Sequence, residues 1–251
     1  MAQESSRART IAVSNQKGGV GKTTSVVNLA AFCALAGRSV LVVDNDPQAN
    51  ASSVLASDQS LPSVYGGGTP QDTMLAGLSV IAAGSDLLDE EHRLTRSDQG
   101  RLALRSILSH YRDRFDLIII DCPPNLSALP LNALLAADLL LVPLQAEYYA
   151  MEGLAQLLTF VEDLRNGGGA GIELAGVLLT LHDEQLALAR RVEADVRLHF
   201  GPKAFASVIP RDVALAEAPS HGQTILDYAP LSAGGLAYLS AAKELLHVAQ
   251  R

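Results

Sequence analysis

The sequence contains no tryptophan, and aromatic residues make up only 4% of its 251 positions. A core for a chain of this length must therefore be built from Ala, Leu, Val and Ile, which with the other apolar types reach 48%. Cysteine is scarce too. Cys33 and Cys122 lie far apart, match no metal or redox spacing, and read as buried free thiols. Basic residues number 19 against 27 acidic ones, a net charge of −8. That balance excludes a general nucleic-acid binder and leaves room only for a local basic patch. The polar N-terminus lacks the apolar centre of a secretory signal. Long hydrophobic runs are missing as well. The greasiest stretch, 126–146, is interrupted by Pro130, Asp138 and Pro143, so it reads as two short buried elements rather than a membrane span. The last residues, 241–251, show no basic amphipathic anchor. A cytoplasmic protein with no membrane partner is expected.

What is present is an alternation of aliphatic runs and helix-length segments. Strands are predicted at 10–15, 39–44, 78–82, 116–121, 139–143, 173–180 and 204–209. Helices are predicted at 23–36, 100–111, 129–136, 148–165, 186–200, 213–221 and 233–248. Such alternation implies βαβ units with right-handed crossovers. The fold class is a single-domain α/β protein: a mostly parallel twisted sheet flanked by helices, spanning 10–251 after a poorly ordered stretch at 1–9. Loops are expected at the glycine clusters 66–68 and 167–169, and the segment 58–77 reads as irregular.

The first predicted strand runs directly into Lys17-Gly18-Gly19-Val20-Gly21-Lys22-Thr23-Thr24, and a helix follows. That order is the context a phosphate-binding loop requires. Gly18, Gly19 and Gly21 let the backbone curl so that several N–H groups point inward, and the helix N-terminus adds partial positive charge. Lys22 supplies a full charge to the terminal phosphates, and the Thr23 hydroxyl is a Mg²⁺ ligand. The chain is thus expected to bind ATP with Mg²⁺. Asp121, closing the run 115–121, has the place of a Walker B carboxylate that holds the metal through water. Asp44 and Asp46 close another strand before a proline turn. Carboxylates beside phosphates repel them, and a metal or an attacking water supplies the reason for their presence.

Together these residues resemble the ParA/Soj branch of the deviant Walker A P-loop ATPases. The resemblance extends through Asn15–Thr24, Asp44-Asn45-Asp46-Pro47-Gln48, Asp121-Cys122-Pro123-Pro124, the segment 142–149, Ile209-Pro210-Arg211 and the segment 217–222. It implies that Lys17 is a signature lysine reaching across a dimer interface to a second copy's nucleotide, in the manner of an arginine finger. It implies that Asp46 orients the attacking water and that Asp44 sits nearer the metal. Pro210 and Arg211 would lie near the adenine, and Pro123 and Pro124 would open a switch segment that senses the γ-phosphate. Lys17, Lys22 and Asp46 would carry catalysis, with Thr23, Asp46 and Asp121 around the metal. The implied activity is slow, Mg²⁺-dependent ATP hydrolysis in a nucleotide-held homodimer, stimulated by a ParB-like centromere-binding partner.

The chain also departs from that pattern. It has Asn45 where the family usually carries an apolar residue, and Ala49 where it carries glycine, which stiffens the turn after Asp46. Two arginines that grip DNA in Soj-like proteins are replaced by Gln185 and Ala214. Arg190, Arg191, Arg197, Lys203 and Arg211 remain nearby as a candidate relocated patch for non-specific DNA, which would make the protein nucleoid-associated. A second reading follows from the same losses: an ATP-dependent switch that positions or regulates another protein, with little direct DNA contact.

Overall fold

Aliphatic runs buried on both faces produce the central feature of the computed structural model, which describes residues 7–96, 98–125, 127–147, 150–167 and 171–250. Eight strands, β1 (Arg9–Val13), β2 (Val40–Asp44), β3 (Gln71–Asp72), β4 (Leu78–Ile81), β5 (Leu117–Asp121), β6 (Leu139–Gln145), β7 (Glu173–His182) and β8 (Ala204–Pro210), form one sheet. Its order is β3-β4-β2-β5-β1-β6-β7-β8, parallel except for the two-residue β3 at the edge. The helices are α1 (Lys22–Leu35), α2 (Asn50–Leu55), α3 (Leu87–Thr95), α4 (Ala103–Leu108), α5 (Ala128–Ala136), α6 (Ala150–Asn166), α7 (Ala187–Phe200), α8 (Val213–Glu217), α9 (Ile225–Tyr228) and α10 (Ala233–Ala249).

Side chains alternate across the sheet because the strand period is two. In β5, Ile118 and Ile120 pack on the layer formed by α3 to α7, while Leu117 and Ile119 pack on α1 and α10. Both faces are covered, so the inner strands read as unbroken Leu, Ile and Val. Without tryptophan, Tyr238 on α10 becomes the largest fully buried side chain, its hydroxyl 3.1 Å from the Ser25 hydroxyl of α1. Cys33 and Cys122 are buried free thiols, and burial pushes Cys33 up to about 12.

Most predicted elements appear within a few residues of their expected bounds. Ala8 is buried and Arg9 opens β1, so the ordered strand starts one residue before the expected boundary, while residues 1–6 lie outside the described ones. Gln71–Asp72 pairs with β4 inside the segment expected to be irregular. The short helices α2, α3 and α9 were not anticipated. The helix expected from 100 begins at Ala103, because the chain first makes a 3₁₀ turn at Asp98–Leu102. A Cβ at Gly100 would lie 2.4 Å from the Leu94 carbonyl, so the chain passes too close to α3 there for any other residue. The helix expected over 213–221 narrows to a 3₁₀ turn at Ala218–His221, where Pro219 removes a donor. The stretch 126–146 divides into α5 and β6, apart from Leu126, which lies outside the described residues. Among the described residues no helix is long and apolar enough to cross a membrane. Tyr148, Tyr149 and positions 168–170 also lie outside them, and with them the first residues of the helix predicted from 148 and most of the 167–169 cluster.

Candidate active site

The parallel strands end together at one edge, and β1 sits in the middle of the sheet between β5 and β6. The loop after β1 therefore opens where neighbouring connections diverge to opposite faces, the place where open α/β sheets bind ligands. Gly19 and Gly21 have φ of 74° and 80°, left-handed values that a side chain would oppose. Gly21 caps α1, so the loop enters that helix with its N–H groups turned toward a cleft of about 360 Å³. Gly18, Gly19, Gly21, Lys22, Thr23 and Thr24 line this cleft, with Asp46 and Pro124 opposite. Val20 is buried and points into the fold, and its carbonyl accepts a 2.8 Å bond from the Thr180 hydroxyl of β7.

The sheet register sets Asp44 of β2 beside Asp121 of β5. The two carboxylates have different fates. Asp44 accepts from the Ser52 amide at 2.7 Å, the Ser52 hydroxyl at 2.6 Å and the Asp46 amide at 3.2 Å. Burial lifts it to about 6, with the Ser52 bonds pulling the other way. Its oxygens tie the end of β2 to α2 and the loop, directly beside Asp121 in the sheet register. Asp121 is completely buried, and neither of its oxygens has a hydrogen-bond partner. Burial, then the Asp44 charge, push it well above the usual carboxylate range, and the nearby Thr23 hydroxyl and Lys22 ammonium only partly oppose this. Burial likewise pulls Lys22 below the ordinary lysine range against the attraction of Asp121, Cys122 and Asp46. The Lys22 ammonium donates to the Lys17 carbonyl at 3.0 Å.

An uncompensated buried carboxylate is expensive. Here it lies buried behind the cleft wall, close to the Thr23 hydroxyl and the Lys22 ammonium that line it. That donor set fits Mg²⁺, a hard cation taken by carboxylate, hydroxyl and phosphate oxygens. Asp46 completes the wall, and its carboxylate accepts from the Gln48 amide at 2.9 Å.

Lys17 does not line the cleft. It stands at the rim, half-exposed, paired with the half-exposed Glu147. Pro210 and Arg211 are also absent from the wall. Ile209 and Asp212, on either side of them, line it instead, together with Leu215 and Tyr238. Ile209 is buried, Pro210 after it is half-buried, and Arg211 is exposed with its amide bonded to the His182 carbonyl. Pro124 reaches the cleft and Pro123 does not.

A family profile described as an AAA domain matches residues 8–170. The chromosome-partitioning ATPase Soj of Thermus thermophilus is 46% identical over 246 residues, 96% of each chain. The chain belongs to the Soj/ParA family of ATPases. The chromosome partitioning protein ParA of Caulobacter vibrioides is 41% identical, covering 95% of this chain and 94% of its own. Among solved structures, cobyrinic acid a,c-diamide synthase from Mycobacterium smegmatis with bound ATP analogue and magnesium superposes with a TM-score of 0.80 at 34% identity. It covers 96% of this chain, and this chain covers 95% of it.

The cations remaining in this Soj/ParA chain do not form one patch. Arg197 pairs with Glu193 on its own helix and reaches the carbonyls of Phe205 and Ala206, and Lys203 donates to the Leu174 carbonyl at 2.7 Å. Lys203 and Arg211 flank opposite ends of β8, roughly 25 Å apart at strand spacing. Arg190 is exposed and bonded to the Glu184 carbonyl, while Arg191 and Arg211 are exposed with no side-chain partner among the described residues. Arg211 thus lies at the cleft end of β8 and Arg190 and Arg191 in the first turns of α7, while Arg197 and Lys203 serve the fold. Thr180, Ile209, Leu215 and Tyr238 were missed by the sequence reading. They are wall residues whose apolar or β-branched character is indistinguishable from core.

Proposed function

We propose that the chain is the ATP-dependent switch of a ParA/ParB-type DNA segregation system, with residues 10–251 acting as one ATPase domain. It binds ATP and Mg²⁺ in the cleft, pairs with a second copy across it, holds DNA without sequence preference as that dimer, and leaves the state on slow hydrolysis. A ParB-like centromere-binding protein accelerates the last step, and the dimer works in the cytoplasm on the nucleoid. The observation that carries this reading is the meeting of Lys22, Thr23 and Asp46 in the wall of one cleft, with the buried Asp121 behind them and Lys17 standing outside it at the rim.

In this reading the loop amides and Lys22 hold the β- and γ-phosphates. The Thr23 hydroxyl and the Asp121 carboxylate, with Asp46, would hold Mg²⁺, which when bound would supply positive charge to the phosphate oxygens. Asp46 orients a water in line with the γ-phosphorus. The new oxygen–phosphorus bond forms as the bond to the bridging oxygen breaks, giving ADP and phosphate. Lys17 leaves Glu147 to meet the nucleotide of a second copy, where two buried triphosphates face to face require added positive charge. Ile209, Leu215 and Tyr238 form the apolar wall against which the adenine packs.

The test is a titration of labelled duplex DNA with Asp46→Ala protein in ATP and in ADP at two salt concentrations. Tight binding in ATP alone, weakening with salt, is expected, and no binding at low salt removes DNA from the reading. One observation favours a protein partner instead. Around Gln185 and Ala214 the surface is apolar, with Leu186 55%, Leu188 45% and Val213 70% exposed. ATP-dependent capture of a protein without DNA binding would replace the DNA output with that one.

A further inference from the structure

Val20 stands between Gly19 and Gly21, whose φ values of 74° and 80° are left-handed. The freedom that lets glycine take such values also lets the peptide planes beside it rotate. A loop that must present N–H groups to an anion therefore needs those planes held from outside. Side chains at two points of the loop do so. At its start, the Asn15 side-chain amide donates to the Pro143 carbonyl of β6 at 2.8 Å, and its Oδ1 accepts from the Lys17 amide at 3.0 Å. In its middle, the Thr180 hydroxyl of β7 donates to the Val20 carbonyl at 2.8 Å.

Thr180 is buried, and it lies two residues beyond Leu178, which packs on the side of the sheet covered by α1 and α10. Strand alternation calls for another aliphatic side chain there. A buried hydroxyl costs stability unless it is bonded, and the Val20 carbonyl is the bond it makes. Thr180 keeps its register with Gln145 of β6, so its place is set by the sheet rather than by the loop. Its carbon atoms close on the same point: a Cβ at Gly21 would lie 3.8 Å from the Thr180 Cβ. The Val20–Gly21 peptide is trans, and in a trans peptide the carbonyl and the following N–H point in opposite directions. With the Val20 carbonyl turned to Thr180, the Gly21 N–H is turned the other way, at a residue that lines the cleft.

We propose that Thr180 is a positioning residue for the diphosphate of the nucleotide: its hydroxyl fixes the Val20–Gly21 peptide so that the Gly21 N–H is held ready for a β-phosphate oxygen. A chain without that hydroxyl leaves the Val20 carbonyl buried with no donor, and nothing else on β7 selects the orientation of the plane. The inference rests on the reading of the loop as phosphate-binding.

The test compares wild type, Thr180→Val, Thr180→Ser and Lys22→Ala, with ADP and AMP as ligands. Thr180→Val is expected to weaken ADP binding about tenfold, the effect of one well-placed hydrogen bond. AMP, which ends at the α-phosphate, should change by less than about twofold, whereas a merely structural loss would weaken both ligands alike. Thr180→Ser keeps the hydroxyl and should restore ADP affinity. Protein labelled with ¹⁵N-glycine supplies a second reading. The Gly21 amide resonance should move on addition of ADP in wild type and Thr180→Ser, and stay in place in Thr180→Val. If Thr180→Val does not fold, Thr180→Ala is read in the same way. Unchanged ADP affinity in Thr180→Val, equal losses for AMP and ADP, or Thr180→Ser as weak as Thr180→Val overturns the proposal. If Lys22→Ala binds ADP like wild type, the reading of the loop has failed first. If Lys22→Ala loses ADP while Thr180→Val keeps it, only the role of Thr180 is lost.

Discussion

The cleft end of β1, β2 and β5 and the cleft end of β7 and β8 face the same way, yet they are built differently. In the first region, three parallel strands in unbroken register deliver Asp44, Asp121 and the phosphate loop to fixed places. Among the described residues most polar atoms there have an assigned bond; Asp121, whose two oxygens do not, lies within a donor set that suits a metal, and the Asn45 side-chain oxygen is unpaired beside it. In the second region the register slips between Val177 and Leu179 and again before His182, and Leu181 is left-handed at φ 49° without being glycine. Charges there are scattered, and exposed leucines stand among them. The contrast teaches that a chemical site needs the rigidity of central strands, whereas an output surface at the sheet edge can trade its residues while the fold persists. The first region brings together Lys22, Thr23, Asp44, Asp46 and Asp121, the residues the resemblance singled out. The second is where Gln185 and Ala214 replace the expected arginines.

The comparison breaks most sharply at Lys22. Lys22→Ala should lower ATP affinity more than about 100-fold, the loss of a charge on two phosphates. Isothermal titration would measure it, and an unchanged affinity would remove the phosphate-loop assignment.

Asp121→Asn separates function from stability within the same region. Hydrolysis should fall about 100-fold, while the protein without nucleotide becomes more stable by about 1 to 3 kcal/mol at neutral pH. The sign follows from the raised folded-state pKa relative to 3.8. Below that value both states carry the proton and the substitution gains nothing. As pH rises above it, the unfolded chain releases its proton while the folded chain holds on, so the wild-type fold loses stability and the Asn variant does not. Melting curves from pH 3 to 8 should therefore diverge only on the alkaline side.

At the sheet edge, Arg191→Ala with Arg211→Ala should weaken DNA binding in ATP and lower the salt slope by about 0.9 per lost phosphate contact. Arg197→Ala should leave the slope alone and cost about 1 kcal/mol of stability through its lost carbonyl and Glu193 bonds. Equal slopes for both variants would mean that the two groups of cations are not functionally distinct. The smallest effect is expected at Ala49, whose φ of 53° is left-handed. Ala49→Gly should raise stability by about 0.5 to 1 kcal/mol in a urea titration, since relief of the side-chain clash is partly offset by a more flexible unfolded chain.

The legibility of the sequence followed the same division. Strands such as Leu117–Asp121 announce themselves because both faces are buried and no polar residue breaks the run. The phosphate loop is legible because glycine, lysine and threonine have few other reasons to occur in that order. Helix α3 was missed because only Leu87 and Leu94 are buried on it, too sparse a stripe to stand out from Asp, Glu and Arg. Helix α2 is six residues long and begins on the left-handed Ala49, where no capping side chain marks the start. Ile209 lines the cleft beside Pro210 and Arg211, a place the resemblance pointed to without separating one neighbour from the next. Asp44 and Asp121 look alike in the sequence, both closing aliphatic strands. Only the fold shows that Ser52, eight positions beyond Asp44, satisfies one of them and leaves the other bare.

The absence of tryptophan, first a limit on how the core is built, makes the protein optically quiet above the tyrosine band. Ala216 is exposed on the wall of the cleft, so an indole introduced there by Ala216→Trp would be the single strong emitter in the molecule, inside the cleft proposed for the nucleotide. Nucleotide arrival, and with it the proposed pairing and separation of two copies, could then be tested as intensity changes in real time, without a dye attached.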